Sequence, residues 1–338
     1  MISSKHWQPV SSMQAILVEQ AGPNSHLVVV STALPVPTAS QVLVKVHAAG
    51  VNRADLAQRA GIYPPPEGES EVLGLEVAGE VVAVGNQIHA TWLDTAVFGL
   101  VPGGGYAQYA VIEVDQLIRK PANWSFAQAA ASAEVFLTAY QALFMIGDLA
   151  KDGAALIHAG ASGVGTAAIQ LAKAIGAKVA VTVGSAEKAQ ACIDLGADNA
   201  VVYKQHDFAA VLALDYPQGF NVVIDPIAGD YLQKDISLLA LDGKVVVLAM
   251  MGGRKVADFD VAPMFKKRGQ LICSTLRNRS NAYKGALVAG FVRDFYSALE
   301  NNRVQPVIGL SVSWQQTDYA HQQIADNMLV GKAVLLID

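Results

Sequence analysis

The stretch HAGASGVGTAAIQLAKAIGA (residues 158–177) decides the fold. It sets Gly160, Gly163 and Gly165 between an apolar strand, AALIHAG (154–160), and an Ala-rich helix. Backbone amides at such a helix start can face a pyrophosphate without obstructing side chains, and the helix dipole favours the negative charge. Gly160, Ser162, Gly163, Val164 and Gly165 are therefore candidate dinucleotide contacts. The pattern G-x-G-x-x-G lacks its middle glycine, because Ser162 stands there. The order of strand, glycine turn, helix and second strand restores the assignment. Ser162 also invites a hydrolase reading, but the nucleophile elbow G-x-S-x-G needs glycine where this chain has Val164. His158 ends a buried strand, where a hydrogen-bonded core histidine is expected rather than a general base.

Outward from this turn, apolar strands alternate with helical stretches: KVAVTV (178–183), AVVY (200–203), NVVIDPI (221–227), GKVVVLAM (243–250) and LICSTL (271–276). Their continuous, β-branched character suits a parallel sheet buried on both faces, which predicts a doubly wound α/β fold of about six strands. From Met13 to about Pro121 the chain reads instead as strands separated by turns such as LPVPT, YPPPEG and VPGGG, a compact β-barrel-like domain. An Ala-rich helical pattern follows from about Ala127. Near the end, a helix around Gly285–Leu299 and the strand KAVLLI (332–337) are expected to return to the first domain. The expected division is 1–127 with 277–338, and 128–276. Residues 1–12 read as a weakly ordered extension.

The second strand discriminates between nicotinamide cofactors. An NAD enzyme usually carries Asp or Glu about 20 residues beyond the glycine turn, where it binds the ribose hydroxyls. Here the strand runs into Gly184, Ser185, Ala186, Glu187 and Lys188, with no acid at its end and a hydroxyl and an ammonium beyond it. Gly184, Ser185 and Lys188 therefore point to NADPH, and Tyr203 could cover the adenosine side.

Composition narrows the class. Hydrophobic residues make up 52% of the 338 and charged residues 16%, as in a well-packed enzyme rather than a disordered chain. A formal charge of −5 argues against nucleic-acid binding, and the one compact basic run, Lys266–Arg268, reads as a solvated turn. Cys192 and Cys273 match no metal spacing and read as buried thiols in a reducing cytoplasm. No apolar signal core or membrane span is visible, so a cytoplasmic protein is expected. LICSTL would leave an apolar sheet edge in a monomer, which predicts a homodimer pairing through Ile272–Thr275.

The segments VNRADLAQRAGIYPPP (51–66), LGLEVAGEVVAVG (73–85), HAGASGVGTAAIQLAK (158–173), MMGG (250–253) and GKAVLLID (331–338) resemble the quinone oxidoreductase branch of the medium-chain dehydrogenase/reductases. The resemblance runs from Met13 onward. It is strongest to the tumour-suppressor-inducible NADPH quinone oxidoreductases, with zeta-crystallin more distant. It implies a Rossmann domain joined to a GroES-like substrate domain, with hydride transfer from NADPH to quinones. The zinc-dependent relatives carry a cysteine where this chain has Asn52 and a histidine where it has Leu75, so the resemblance implies no catalytic zinc. It also implies acceptor-side roles for Asn52 and Tyr63, a place near the nicotinamide for Thr138, backbone contacts from Met251 and Gly252, and a place beside the cofactor cleft for Lys332. Two alternatives stay open. One is the same chemistry on α,β-unsaturated aldehydes or ketones; the other is a non-enzymatic NADPH-binding protein with a structural or RNA-binding role.

Overall fold

A computed structural model describes residues 1–338, which form two compact units: Met1–Val135 with Arg277–Asp338, and Phe136–Leu276. Residues 128–135 thus go with the first unit, although the second was expected to begin at 128.

In the second unit, six strands form one sheet: β1 (Ala154–His158), β2 (Lys178–Val183), β3 (Asn199–Val202), β4 (Phe220–Asp225), β5 (Leu239–Val247) and β6 (Gln270–Cys273). Their order is β3-β2-β1-β4-β5-β6, and every pairing is parallel. The order reverses between β1 and β4, so the glycine turn after β1 lies at the switch point where such sheets bind ligands. Burial of both sheet faces explains the uninterrupted apolar runs: every residue of β1, and all of β2 except Lys178, is buried.

Helix α1 (Gly163–Ala174) follows β1 and buries Gly165, Thr166, Ala167, Ala168, Ile169, Leu171 and Ala172 against the sheet. Small residues permit that close approach. A Cβ on Gly165 would stand 2.4 Å from the Gly160 carbonyl oxygen, and one on Gly160 would stand 2.6 Å from Val181 Cβ. Helix α2 (Ala186–Asp194) follows β2.

The edge strand β6 is shorter than the expected 271–276 and only half-buried at Leu271 and Ile272. Cys273 is exposed there, which corrects the expectation of two buried thiols; only Cys192 is buried. The cause is position, since β6 has a neighbour on one side alone within the chain.

The first unit is built on Gln41–Val51, which pairs antiparallel with Glu76–Val84, Tyr109–Glu113 and the returning strand Lys332–Leu336. Its core packs Val42, Val44, Val46 and Val51 with Val77, Val81, Ala333 and Leu335. The N-terminal residues are tied down rather than weakly ordered: Ile2 and Ser3 pair with Val84 and Ala83, Ser4 is buried, and the Trp7 indole donates to the Tyr109 hydroxyl. A hairpin of Ser12–Glu19 and His26–Ala33 completes the strands at this end.

Candidate active site

In the second unit the chain leaves β1 through Ala159, whose φ of 53° makes the sharp bend, and enters α1 with Ser162 as its N-cap. The Ser162 hydroxyl accepts a 3.0 Å hydrogen bond from the Gly165 amide, so this serine caps a helix rather than serving as a nucleophile. Ser162 is exposed, while Gly163 and Val164 are half-buried, so the first turn presents backbone at the positive end of the helix. This cradle fits a dinucleotide pyrophosphate: it is open, backbone-lined and kept narrow by glycines that a Cβ would fill.

At the ends of β2 and β3, four of the expected contacts converge. The Tyr203 amide donates to the Val183 carbonyl, and a Cβ on Gly184 would stand 3.2 Å from the Tyr203 hydroxyl. Ser185 caps α2 by accepting from the Lys188 amide at 3.3 Å, and Lys188 is half-buried in that first turn. Glu187, beside it, is fully exposed; hydrogen bonds from its own amide and from Ser185 hold its carboxyl below the usual range.

Beyond β5, the Met251 and Gly252 amides already donate to the Pro226 and Ile227 carbonyls. Any backbone contact these residues make with a ligand is therefore left to their carbonyl oxygens. Thr138 is half-buried in the helix Ala133–Tyr140. His158 is a core histidine. Its ring lies 2.8 Å from Thr182 Oγ1 and 2.7 Å from Asp235 Oδ1, edge-on to Phe208 and Tyr231.

In the first unit, three neighbouring strands bring Asn52, Glu76 and Lys332 together. The Lys332 ammonium donates to the Val51 carbonyl at 2.8 Å and to Asn52 Oδ1 at 2.7 Å, and it lies 2.7 Å from Glu76 Oε1. Asn52 Nδ2 donates to the same carboxylate oxygen at 3.0 Å. Glu76 is 0% exposed and Lys332 4%. Gly50 makes room for this carboxylate, since a Cβ there would stand 2.3 Å from Glu76 Oε1. Lys332, given a cofactor-side place by the resemblance, thus has its ammonium committed within this unit. Its contacts fix which end of the Asn52 amide carries the free N–H.

Around this trio lie groups that sequence reasoning did not single out. Glu76 Oε2 accepts from the Glu134 amide at 2.8 Å, and burial together with the Glu76 charge pushes the Glu134 carboxyl up to about 7. Asp55 accepts from the Asn52 and Gly74 amides and from the Tyr106 hydroxyl, yet its complete burial raises it to about 6. Tyr106 also meets His321, which burial and the Arg59 charge lower to about 4. Tyr63 is half-buried in its loop, with the Arg277 guanidinium 5.6 Å above its ring. Asp55 stood inside the quoted NRAD block and Glu76 directly after Leu75, so motif position was the available signal for both. Leu75 is buried at 3%, and no group of three or more His, Cys, Asp or Glu side chains is arranged to hold a metal.

A six-stranded parallel sheet with a dinucleotide turn at its switch point, together with a second unit built on a largely antiparallel sheet, defines a medium-chain dehydrogenase/reductase. Residues 163–290 match the family model described as zinc-binding dehydrogenase, and residues 38–122 match the alcohol dehydrogenase GroES-like domain. The quinone oxidoreductase of Mus musculus is 31% identical over 332 residues, covering 96% of this chain and 98% of that protein. The solved structure of a mycobacterial quinone oxidoreductase is similar at a TM-score of 0.82 and 28% identity, covering 96% of this chain and all of the other. A mycobacterial protein solved with NADPH gives 0.84 and 26% over the same shares. The chain belongs to the quinone oxidoreductase branch of the medium-chain dehydrogenase/reductase family and is an oxidoreductase.

Proposed function

We propose that this chain transfers hydride from NADPH to quinones without a metal ion. The observation that carries the reading is the Asn52 carboxamide locked between Lys332 and Glu76. This is an amide donor, where the zinc-dependent relatives have a metal-binding cysteine. Bound NADPH supplies the hydride; the protein has to position the acceptor and stabilise the charge that develops on its conjugated oxygen. Asn52, its rotamer held from both ends, offers one N–H for that purpose, and Tyr63 a hydroxyl. Hydride addition to a conjugated acceptor leaves a delocalised enolate or phenolate rather than an alkoxide and so needs no Lewis acid, which suits a site with Asn52 and Leu75 in place of zinc ligands.

Gly184, Ser185, Lys188 and Tyr203 support NADPH over NADH, because the ends of β2 and β3 offer a ribose 2′-phosphate a small residue, hydroxyls and a cation, and no acid at the end of β2. The Glu187 charge lies in solvent, where screening weakens its repulsion. The active form is a homodimer, extended through the unpartnered side of β6; light scattering tests this, and a monomer mass at micromolar concentration would contradict it.

The function is tested by a steady-state screen of NADPH oxidation against several quinones and several enals, with and without a chelator. Faster turnover of quinones, unaffected by chelation, supports the reading. Faster turnover of enals would transfer the same site to enone reduction, and no turnover with any acceptor would revive a binding-protein role.

A further inference from the structure

Arg277, the first residue of the returning segment, is 7% exposed. Its Nε donates to the Pro102 carbonyl at 2.9 Å, and its own carbonyl accepts from the buried Lys284 ammonium at 2.9 Å. Both terminal nitrogens, Nη1 and Nη2, are buried and meet no hydrogen-bond partner. Acidic groups stand near enough to be felt, Asp55, Glu134 and Glu69 among them, but none bonds to the fork. A buried cation with unmade hydrogen bonds is expensive to keep, whereas an apolar side chain of similar size would cost little. The two vacant nitrogens form a planar fork suited to anionic oxygen, and the half-buried Tyr63 ring beside them suits a planar conjugated partner.

We propose that Arg277 is the acceptor-binding cation of this enzyme, its terminal nitrogens taking the conjugated carbonyl oxygen as that oxygen becomes anionic. The inference deepens the reductase reading and rests on it. Both nitrogens are shut off from solvent in this structure, so a side chain over them has to give way to the acceptor. In the reaction, the C4–H bond of the dihydronicotinamide breaks with its electron pair and a new bond to hydrogen forms on the acceptor. The displaced pair moves through the conjugated system to the carbonyl oxygen, against Arg277. A solvent proton then completes the reduction, so one acceptor, one NADPH and one proton give the reduced acceptor and NADP⁺.

Arg277→Met and Arg277→Lys test this, with trans-2-hexenal and 1,4-naphthoquinone as acceptors. For the less reactive enal, kcat/KM should fall by about 100-fold in Arg277→Met, the usual effect of removing an essential oxyanion donor, and by less in Arg277→Lys. The dissociation constant for NADPH should stay within about twofold, and the melting temperature should not fall, because the methionine leaves no buried charge unpaired. Wild-type kcat/KM in both variants would overturn the assignment. So would a parallel loss of NADPH affinity, or a crystal structure with bound acceptor showing only ordered water on Nη1 and Nη2. Calorimetric titration of 1,4-naphthoquinone without cofactor separates the two levels of the argument. A wild type that binds the quinone but turns nothing over defeats the reductase reading alone, whereas undiminished binding and turnover in Arg277→Met defeats the role of Arg277.

Discussion

Lys332 and Glu76 form an ion pair of 2.7 Å from which water is excluded, and both partners also hold the Asn52 carboxamide. Removing one partner of a buried pair leaves the other charge uncompensated, at about 3–5 kcal/mol. Lys332→Met and Glu76→Gln should each destabilise the chain by that order in urea unfolding, and the double substitution by less than the sum. Additive losses would mean the two residues act independently.

Asn52→Ala and Tyr63→Phe should lower turnover more than they weaken NADPH, since both side chains are assigned to the acceptor. Loss of one essential oriented donor costs about 100–1,000-fold, and reactive quinones should show less than enals. Wild-type rates with both acceptor classes in both variants would remove these roles.

Asp235 gives a pH test in the second unit. Its buried carboxyl is raised to about 6 by desolvation, against the pull of His158, and the neighbouring Asp225 raises it further. An acid raised in the folded state binds its proton more tightly there than in the unfolded chain. Its contribution is therefore full below about 4, the ordinary range for Asp, and is lost as pH rises through about 6. Asp235→Asn mimics the protonated form: its oxygen can accept from His158, and its NH₂ replaces the unpartnered Oδ2. The stability difference between variant and wild type should shift in favour of the variant between pH 4 and 7. Parallel unfolding curves across that range would refute the shift.

Lys188→Ala should weaken NADPH by about 10- to 100-fold, from the loss of a charge-assisted hydrogen bond of about 1.5–3 kcal/mol. NADH, without the 2′-phosphate, should barely change. Fluorescence titration of both cofactors decides the matter, and equal losses for both would remove Lys188 from the phosphate site.

The parts of this molecule legible in its sequence are those encoded locally. The glycine turn at 160–165 and the apolar runs of the parallel sheet each depend on residues within one turn or strand, whereas the helix-capping roles of Ser162 and Ser185 emerge only from the structure. The edge position of LICSTL followed from its being the last strand of the alternation. The Glu76–Lys332 pair was hidden because its partners are brought together only by the antiparallel return of Lys332–Leu336 onto Gln41–Val51. Arg277 reads in sequence as one of several charges after a strand; only the burial of its two unpartnered terminal nitrogens sets it apart. The strand His26–Ala33 carries the apolar run Leu27–Val30 yet stays half-exposed, because it pairs only with Ser12–Glu19. The N-terminal residues misled for a related reason, being held by pairing with Glu76–Val84 rather than by their own composition.

The most direct test of hydride transfer by this chain uses NADPH deuterated at C4, on either face in turn, with trans-2-hexenal as acceptor and mass spectrometry of the product. One deuterium is expected on the β-carbon of the saturated aldehyde from one of the two labelled cofactors, in amounts matching the NADPH consumed. Consumption of NADPH with no deuterium in the product from either cofactor, or no consumption with this or any quinone acceptor, would contradict it.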